Sequence, residues 1–362
     1  MKDHSKRLSL FSARLSQLRA DYFLITHLPN IRYLCGFTGS AGALLVGGAE
    51  PIFLTDGRYA EQAVQEVRGA RIVVQAKSPI TAASRWLSRK QGRLAIEADH
   101  MSVASEARLR AMLPKRIRIA PVSNAVESQR SIKDATEIEL LRKAVNLGSS
   151  LFPGLVKSIR PGVLETEIAA RLQYAARKAG AEGMSFDTIV AAGPRSALPH
   201  GRASATPIPP KGLVVLDYGV ILSGYCSDMT RTVAVGRISA KERGWYEAVL
   251  DSQLAGIAAV RPGATAGEVD AAARNVLKRS KLAKYFTHST GHGVGLEIHE
   301  APRLAAGEKT VLEPGMVITI EPGVYIPGEG GVRIEDMILV TKTGCDVFTP
   351  TTKALITNSA KV

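Results

Sequence analysis

The strongest constraint on the fold is a repetition inside the C-terminal two thirds of the chain. Arg160-Pro161-Gly162 precedes Glu167-Ile168 and a helical pattern to Lys178, and 101 positions later Arg261-Pro262-Gly263 precedes Glu268-Val269 and a helical pattern to Lys278. A strand pair follows in each copy. Leu213-Val-Val-Leu-Asp217-Tyr-Gly219 leads to Asp228 and Thr230–Val235; Val317-Ile-Thr-Ile-Glu321-Pro-Gly323 leads to Glu335 and Met337–Val340. A period near one hundred residues is too long for a solenoid. It predicts two half-domains of helix and antiparallel strands packed about a pseudo-twofold axis.

The repetition places an acidic residue late in an apolar strand twice, at Asp217 and Glu321, and a second one on each returning strand, at Asp228 and Glu335. A solvated carboxylate at a strand end would explain one such residue. Flanks such as Val-Val-Leu and Ile-Thr-Ile call for burial, however, and buried carboxylates must be paired or bind a cation. A second cluster adds imidazoles: His288, His292 and His299 fall within twelve residues, with Gly291, Gly293 and Gly295 between them. Glycine there allows backbone to approach a ligand or take up a left-handed φ. Asp217, Asp228, Glu321, Glu335 and His292 together carry a charge that balances two divalent cations, and the cations remove the mutual elevation of carboxylate pKa values. Oxygen-dominated ligation favours Mn²⁺, with Co²⁺ or Zn²⁺ as alternatives. Metal-assisted hydrolysis is the chemistry that suits such a set. His200, in a Pro/Gly turn, joins the other three histidines of this part, all of which are expected in loops or glycine-rich segments. Arg333, two residues before Glu335, is expected on the same sheet face by strand alternation. There it could bind a substrate carboxylate or act as a counter-charge.

A chain of 362 residues is long for one core, and two domains, 1–130 and 131–362, are expected. In the first, strands are predicted at 22–26, 43–46, 52–55, 71–75 and 93–97, with helices at 58–67, 79–89 and 102–113, a mixed sheet with flanking helices. Gly36 to Gly42 lacks the Lys-Ser/Thr of a phosphate loop and reads as a turn. His27 and His100 have no nearby partners in sequence and read as structural. Of the net charge of +14, residues 1–130 contribute 20 basic against 10 acidic side chains and residues 131–362 contribute 27 against 23. The first domain's arginines are dispersed, without runs or interleaved aromatics, so a solvated basic surface is expected rather than nucleic-acid binding. No apolar run approaches the roughly 20 residues of a membrane span, and no signal-peptide core is apparent near the N-terminus. Cys35, Cys226 and Cys345 are solitary, which fits reduced thiols in a cytoplasmic protein.

Residues 131–362 resemble the pita-bread metallopeptidases, in the aminopeptidase P and prolidase (Xaa-Pro dipeptidase) branch. The matching segments run from Ser185-Phe-Asp-Thr-Ile-Val190 to Pro199-His200-Gly201, and then through Leu216-Asp217-Tyr-Gly219, Ser227-Asp228-Met-Thr-Arg-Thr232, His288 to Glu300, Ile320-Glu321-Pro-Gly323 and Gly331-Val-Arg-Ile-Glu335-Asp336. The first domain, with Ile31-Arg-Tyr-Leu-Cys-Gly-Phe37, resembles the creatinase-type N-terminal domain. The resemblance implies an α+β pita-bread fold with an internal pseudo-twofold repeat. It implies a dinuclear site in which Asp228 and Glu335 bridge both ions, Asp217 holds one, and His292 with Glu321 the other. It assigns His200 and His299 to the substrate near the scissile carbonyl, His288 and Arg333 to the substrate site, and proton transfer toward the leaving proline nitrogen to Glu321. The implied function is aminopeptidase P-like cleavage between an N-terminal residue and proline, in a cytoplasmic homodimer. An Xaa-Pro dipeptidase is the alternative, and a metal-free binding module the remote one. Intact ligand positions argue against creatinase, a relative that lacks the metals.

Overall fold

A computed structural model describes residues 4–75 and 78–358. The chain divides into two compact units, Met1–Arg130 and Ser131–Val362.

The first unit is built on a mixed six-stranded sheet of β1 (Tyr22–Ile25), β2 (Ala43–Val46), β3 (Ile52–Thr55), β4 (Arg71–Val74), β5 (Gly92–Glu97) and β6 (Ile117–Val122), in the order β4-β3-β2-β1-β5-β6. The β1–β2 and β2–β3 pairs are antiparallel and the others parallel. Leu24, Leu45, Leu54, Leu94 and Ile96 bury one face against Ala83 and Leu87 of the helix Pro79–Leu87 and Leu109 of the helix Val103–Met112. Ser78 and Ser102 cap these helices by accepting from Thr81 and Ser105 amides, which satisfies one otherwise orphaned donor each. The predicted helix at 58–67 opens as a 3₁₀ turn, Gly57–Tyr59, before the α-helix Ala60–Glu66. Among the described residues, four elements of this unit escape the sequence reading: the helices His4–Ala13, Leu28–Cys35 and Glu127–Arg130 and strand β6. The helix Leu28–Cys35 carries Pro29 in its first turn, where proline is tolerated because that amide needs no intrahelical partner. Strand β6 contains Pro121, which an edge strand accommodates. The expectation that His27 and His100 lack partners is also overturned. Their rings stack at 3.6 Å between centroids, and His100 Nε2 lies 2.9 Å from Glu127 Oε1. The chain's return after β5 brings together residues that sequence spacing keeps apart.

The second unit contains β7 (Ile189–Ala192), β8 (Gly212–Tyr218), β9 (Met229–Val235), β10 (Gly291–Gly293), β11 (Glu300–Leu304), β12 (Val317–Ile320), β13 (Gly323–Ile326), β14 (Gly330–Arg333), β15 (Asp336–Val340), β16 (Cys345–Val347) and β17 (Thr357–Asn358). One sheet runs β17-β9-β8-β7, another β11-β10-β12-β15-β16, and β13 pairs with β14 as a ribbon. The antiparallel trio β7-β8-β9 matches the antiparallel trio β10-β12-β15, as the sequence repetition requires. The first half adds the helices Ala135–Ser158 and Glu165–Lys178, the second Ala240–Ala259 and Ala266–Arg279. The repeated Arg-Pro-Gly turns place Gly162 and Gly263 at φ 84° and 85°, the left-handed region that glycine enters without penalty.

Strand alternation explains the carboxylates. In β8, Val214, Leu216 and Tyr218 face Phe152, Leu155, Ile168 and Leu172 of the first pair of helices, and from β9 Val233 and Val235 join them. Asp217 therefore faces the other way. In the second half Ile318, Ile320, Ile338 and Val340 pack with Val260, Ala266 and Val269, which turns Thr319 and Glu321 inward. Every residue of β8 and β9 is buried, so one face serves the helices and the other serves the interior between the halves.

Candidate metal centre and substrate cleft

The inward faces meet in a cleft of about 600 Å³ whose lining includes Asp217, Asp228, His292, Glu321 and Glu335. Asp228 immediately precedes β9, and Glu335 sits in the two-residue connection between β14 and β15. This differs from the expected placement on the returning strands: at these positions the ladder has not yet begun, so the backbone can splay toward the opposite half. Arg333 is the last residue of β14 rather than a strand neighbour of Glu335, so alternation is not what brings the two together. His292 lies on β10 and not in a loop, and the register of β10 shifts between His292 and Gly293. A bulge of this kind re-aims a side chain at a site.

One ligand atom each of Asp228, His292 and Glu335 lies within 4.8 Å of the others. His292 Nε2 is 3.6 Å from Asp228 Oδ2 and 3.4 Å from Glu321 Oε1. Its Nδ1 faces the Gly293 carbonyl at 3.0 Å, which fixes the proton on Nδ1 and leaves Nε2 as a bare donor. Thr230 donates to Glu335 at 2.7 Å and Thr319 to Glu321 at 3.2 Å, orienting two carboxylates from behind. Asp217 Oδ2 pairs with Arg333, while its Oδ1 is buried without a hydrogen-bond partner among the described residues.

Burial, and then the mutual repulsion of Glu335, Asp217 and Glu321, pushes the Asp228 carboxyl well above its usual range. Burial with the charges of Glu321 and Asp217 does the same to Glu335. Glu321 is pushed up to about 8, by burial first; the Arg333 charge opposes this and Asp217 adds to it. His292 is pulled down to about 4, chiefly by burial, so the imidazole is neutral and can ligate. One arginine among four carboxylates cannot neutralise them, and an orphaned oxygen at Asp217 adds to the imbalance. This donor set fits divalent cations of hard to borderline character.

His200 and His299 line the same cleft, both exposed at its rim. The His299 ring stands edge-on to His292 at 4.4 Å. Its pKa is lowered, first by the partial burial of the ring and then by the charge of His200, with Asp217 opposing. His288 also lines the cleft, but both of its ring nitrogens are engaged: Nδ1 with the Ser289 carbonyl and Nε2 with Tyr325 Oη, each at 2.8 Å. Arg333 is likewise committed. It donates to Asp217, to Thr230 Oγ1 at 3.1 Å, to the Pro199 carbonyl at 3.0 Å and to Tyr325 Oη at 2.6 Å. Tyr325 links the two side chains, and sequence reasoning missed it. Its position in Gly-Val-Tyr-Ile on β13 carries no motif of its own; only the β13–β14 pairing, with Tyr325 opposite Gly331, brings it to Arg333.

The glycines of the histidine stretch answer to a different need than the one expected. None of Gly291, Gly293 and Gly295 has a positive φ. A Cβ on Gly291 would lie 1.9 Å from the Thr319 carbonyl oxygen, one on Gly293 2.2 Å from that of Ala301, and one on Gly295 2.5 Å from the Glu300 carboxylate. Glycine is required because the chain's own neighbours come that close.

A profile of metallopeptidase family M24 matches residues 139–342, and one of the creatinase/prolidase N-terminal domain matches residues 7–132. This chain belongs to metallopeptidase family M24. The Xaa-Pro dipeptidase of Pyrococcus horikoshii is 39% identical over 93% of this chain and 94% of its own. Among solved structures, the Xaa-Pro dipeptidase from Bacillus anthracis superposes with a TM-score of 0.95 at 41% identity, covering 98% of this chain and 100% of that one. The X-Pro aminopeptidase from Thermotoga maritima superposes at 0.88 and 32% identity, covering 95% and 100%. This M24 protein is thus a metallo-exopeptidase in which a creatinase-type domain precedes, in sequence, a unit with the pita-bread fold, and divalent metal use comes with the family. Among the described residues, no helix is long and apolar enough to cross a membrane.

Proposed function

We propose that the chain is an Xaa-Pro peptidase acting on peptides with proline in second position, with Xaa-Pro dipeptides as its main substrates. The observation that carries this is the convergence of Asp228, His292 and Glu335, with Glu321 and Asp217 beside them, in a cleft flanked by His200 and His299. The similarity to Xaa-Pro dipeptidases supports the dipeptide form. Cleavage of longer peptides, as by an aminopeptidase P, is the second reading, favoured by the likeness to an X-Pro aminopeptidase. The catalytic unit is taken as residues 131–362, with 1–130 as a separate domain. Asp217, Asp228, His292, Glu321 and Glu335 would hold two divalent ions, Mn²⁺ by the character of the donors. When bound, the ions supply water activation and carbonyl polarisation.

The chain's own residues divide the remaining work. His200 and His299, whose rings have no hydrogen-bond partners among the described residues, face the scissile carbonyl and donate to the oxygen that gains charge. Glu321, which lines the cleft beside His292 at 3.4 Å, moves a proton toward the proline nitrogen. Arg333 holds Asp217 and the Pro199 carbonyl beside His200, and His288 acts through Tyr325 to keep it there. A cytoplasmic homodimer follows from the family resemblance alone. The test is hydrolysis of Ala-Pro beside Ala-Pro-Ala by Mn²⁺-supplied protein. Cleavage of the dipeptide alone identifies a prolidase, cleavage of the tripeptide an aminopeptidase P, and cleavage of neither with metal bound overturns the proposal.

A further inference from the structure

Among the described residues, four carboxylates of the catalytic unit are as deeply buried as the candidate ligands but do not line the cleft, Glu137, Glu165, Asp270 and Asp336; of these, Glu165 and Asp270 bond to the segments that carry the cleft histidines. Glu165 opens the helix Glu165–Lys178 of the first half, and Asp270 lies in the helix Ala266–Arg279 of the second. Glu165 Oε1 accepts from the Ala192 amide at 2.9 Å, and its Oε2 accepts from the Ser204 amide at 3.0 Å and the Ser204 hydroxyl at 2.7 Å. Arg195 reaches both carboxylate oxygens through Nε and donates from Nη2 to the Arg202 carbonyl at 2.8 Å. One side chain therefore ties both ends of residues 192–204, with His200 between them.

Asp270 does the same for the other half. Its Oδ1 accepts from Thr290 Oγ1 and its Oδ2 from Arg274 Nε, each at 2.7 Å. Arg274 donates onward to the carbonyls of Phe286 and His288, and the Phe286 ring lies 4.2 Å from the guanidinium carbon and 5.0 Å from the His288 ring. Thr290 passes the constraint on, since its carbonyl accepts from the Glu321 amide at 2.8 Å. His292 is two residues further along.

These are not copies of one ancestral contact. The offset of 101 residues aligns Glu165 with Ala266 and Asp270 with Ala169, and the arginine belongs to the loop in one half and to the helix in the other. Different residues arrive at one arrangement, a buried carboxylate–arginine clamp on irregular backbone that bears a cleft histidine. Such loops lack a full sheet ladder to hold them, and a misplacement of about 1 Å in a site can cost roughly a hundredfold in rate. We propose that Glu165 and Asp270 are positioning residues: Glu165 fixes His200, and Asp270, through Arg274 and Thr290, fixes His288 and the backbone at His292 and Glu321. The activity readouts of this inference rest on the peptidase reading; the exchange readouts do not.

The experiment compares Glu165→Gln and Thr290→Val in the full chain, both nearly isosteric. Amide exchange in Glu165→Gln is expected to quicken by about tenfold or more across 193–204 and to stay unchanged across 286–292; Thr290→Val should reverse the pattern. Mn²⁺ affinity should fall about tenfold in Thr290→Val, the size expected for an outer-shell partner, and stay within about twofold of wild type in Glu165→Gln. Turnover of Ala-Pro should fall in both. Wild-type exchange in each variant's own loop overturns the proposal, as does a uniform rise over the whole unit. If Glu165→Gln does not fold, Ser204→Ala, which removes the hydroxyl bond to Glu165 and those to Thr206 but keeps the Ser204 amide bond, carries the same expectation for 193–204. Localised exchange in a protein that cleaves neither Ala-Pro nor Ala-Pro-Ala would keep the clamps and remove the peptidase reading.

Discussion

Replacing Tyr325 by phenylalanine tests whether the His288–Tyr325–Arg333 chain holds the cleft. Phenylalanine fills the same buried volume, so no cavity opens and the change is confined to one hydroxyl. In the wild type that hydroxyl accepts from Arg333 at 2.6 Å and donates to His288 Nε2 at 2.8 Å. Without it, Arg333 Nη1 keeps the Pro199 carbonyl at 3.0 Å, so the guanidinium loses one charge-assisted bond but is not orphaned. His288 Nε2 fares worse, because its proton is already committed at Nδ1 to the Ser289 carbonyl and no other donor replaces the phenol. An unsatisfied buried acceptor costs about 1–3 kcal/mol and a lost bond with a remaining partner about 1 kcal/mol, so the total is about 2–4 kcal/mol. For a unit of this size that lowers Tm by roughly 4–16 °C. His288, held down at about 4 by burial and the Arg333 charge, should also titrate higher, because the donor that favoured its neutral form is gone. Calorimetry gives the first quantity and NMR titration of the imidazole the second. Turnover of Ala-Pro should drop as Arg333 loosens its hold on Asp217. A Tm within about 1 °C of wild type together with an unchanged His288 pKa would refute the reasoning.

Glu335→Ala should abolish Ala-Pro hydrolysis and weaken Mn²⁺ binding, measured by calorimetric titration; near-normal turnover would remove Glu335 from the ligand set. Gly291→Ala places a methyl 1.9 Å from the Thr319 carbonyl oxygen and should cost more than ~3 kcal/mol by forcing β10 from β12. Gly162→Ala, in open space at φ 84°, should cost only about 1 kcal/mol; equal denaturation midpoints would contradict both values. In the first unit, burial raises the Glu127 carboxyl, but hydrogen bonds from Asn30, its own backbone and His100 outweigh this and hold it below the ordinary 4.5. A depressed folded pKa adds stability above the unfolded value and loses it as pH falls through the folded one. Glu127→Gln should therefore destabilise the protein at pH 7, and the gap from wild type should close below about pH 4 in urea titrations. A gap independent of pH would exclude the ionic contribution.

The residue types of the site and their rough placement could be read from the chain because strand alternation is a local rule. Val-Val-Leu-Asp and Ile-Thr-Ile-Glu announce a carboxylate at the end of a buried strand, and the 101-residue offset announces that there are two such ends. The mixed sheet of the first unit was legible for the same reason, except where Pro29 and Pro121 disguised a helix start and an edge strand. What the local rule cannot supply is any relation between residues joined only by packing. It placed Arg333 beside Glu335 by alternation, whereas a break between β14 and β15 does so. It left His27 and His100 apart, although they stack, and it could not find Tyr325, Glu165 or Asp270, which belong to no motif.

The sequence by itself determined which chemistry is available: four carboxylates and an imidazole among residues that must be buried, in a chain duplicated about an axis. The tertiary structure decided how the remaining groups are spent. His288 and Arg333, equivalent on paper to His200 and His299 as substrate groups, have their donors and acceptors taken up by Tyr325, Ser289, Asp217 and Pro199, while His200 and His299 stand open at the rim. Hydrogen-bonding capacity is a fixed inventory for each side chain, but only the packed chain determines how much of it is already in use.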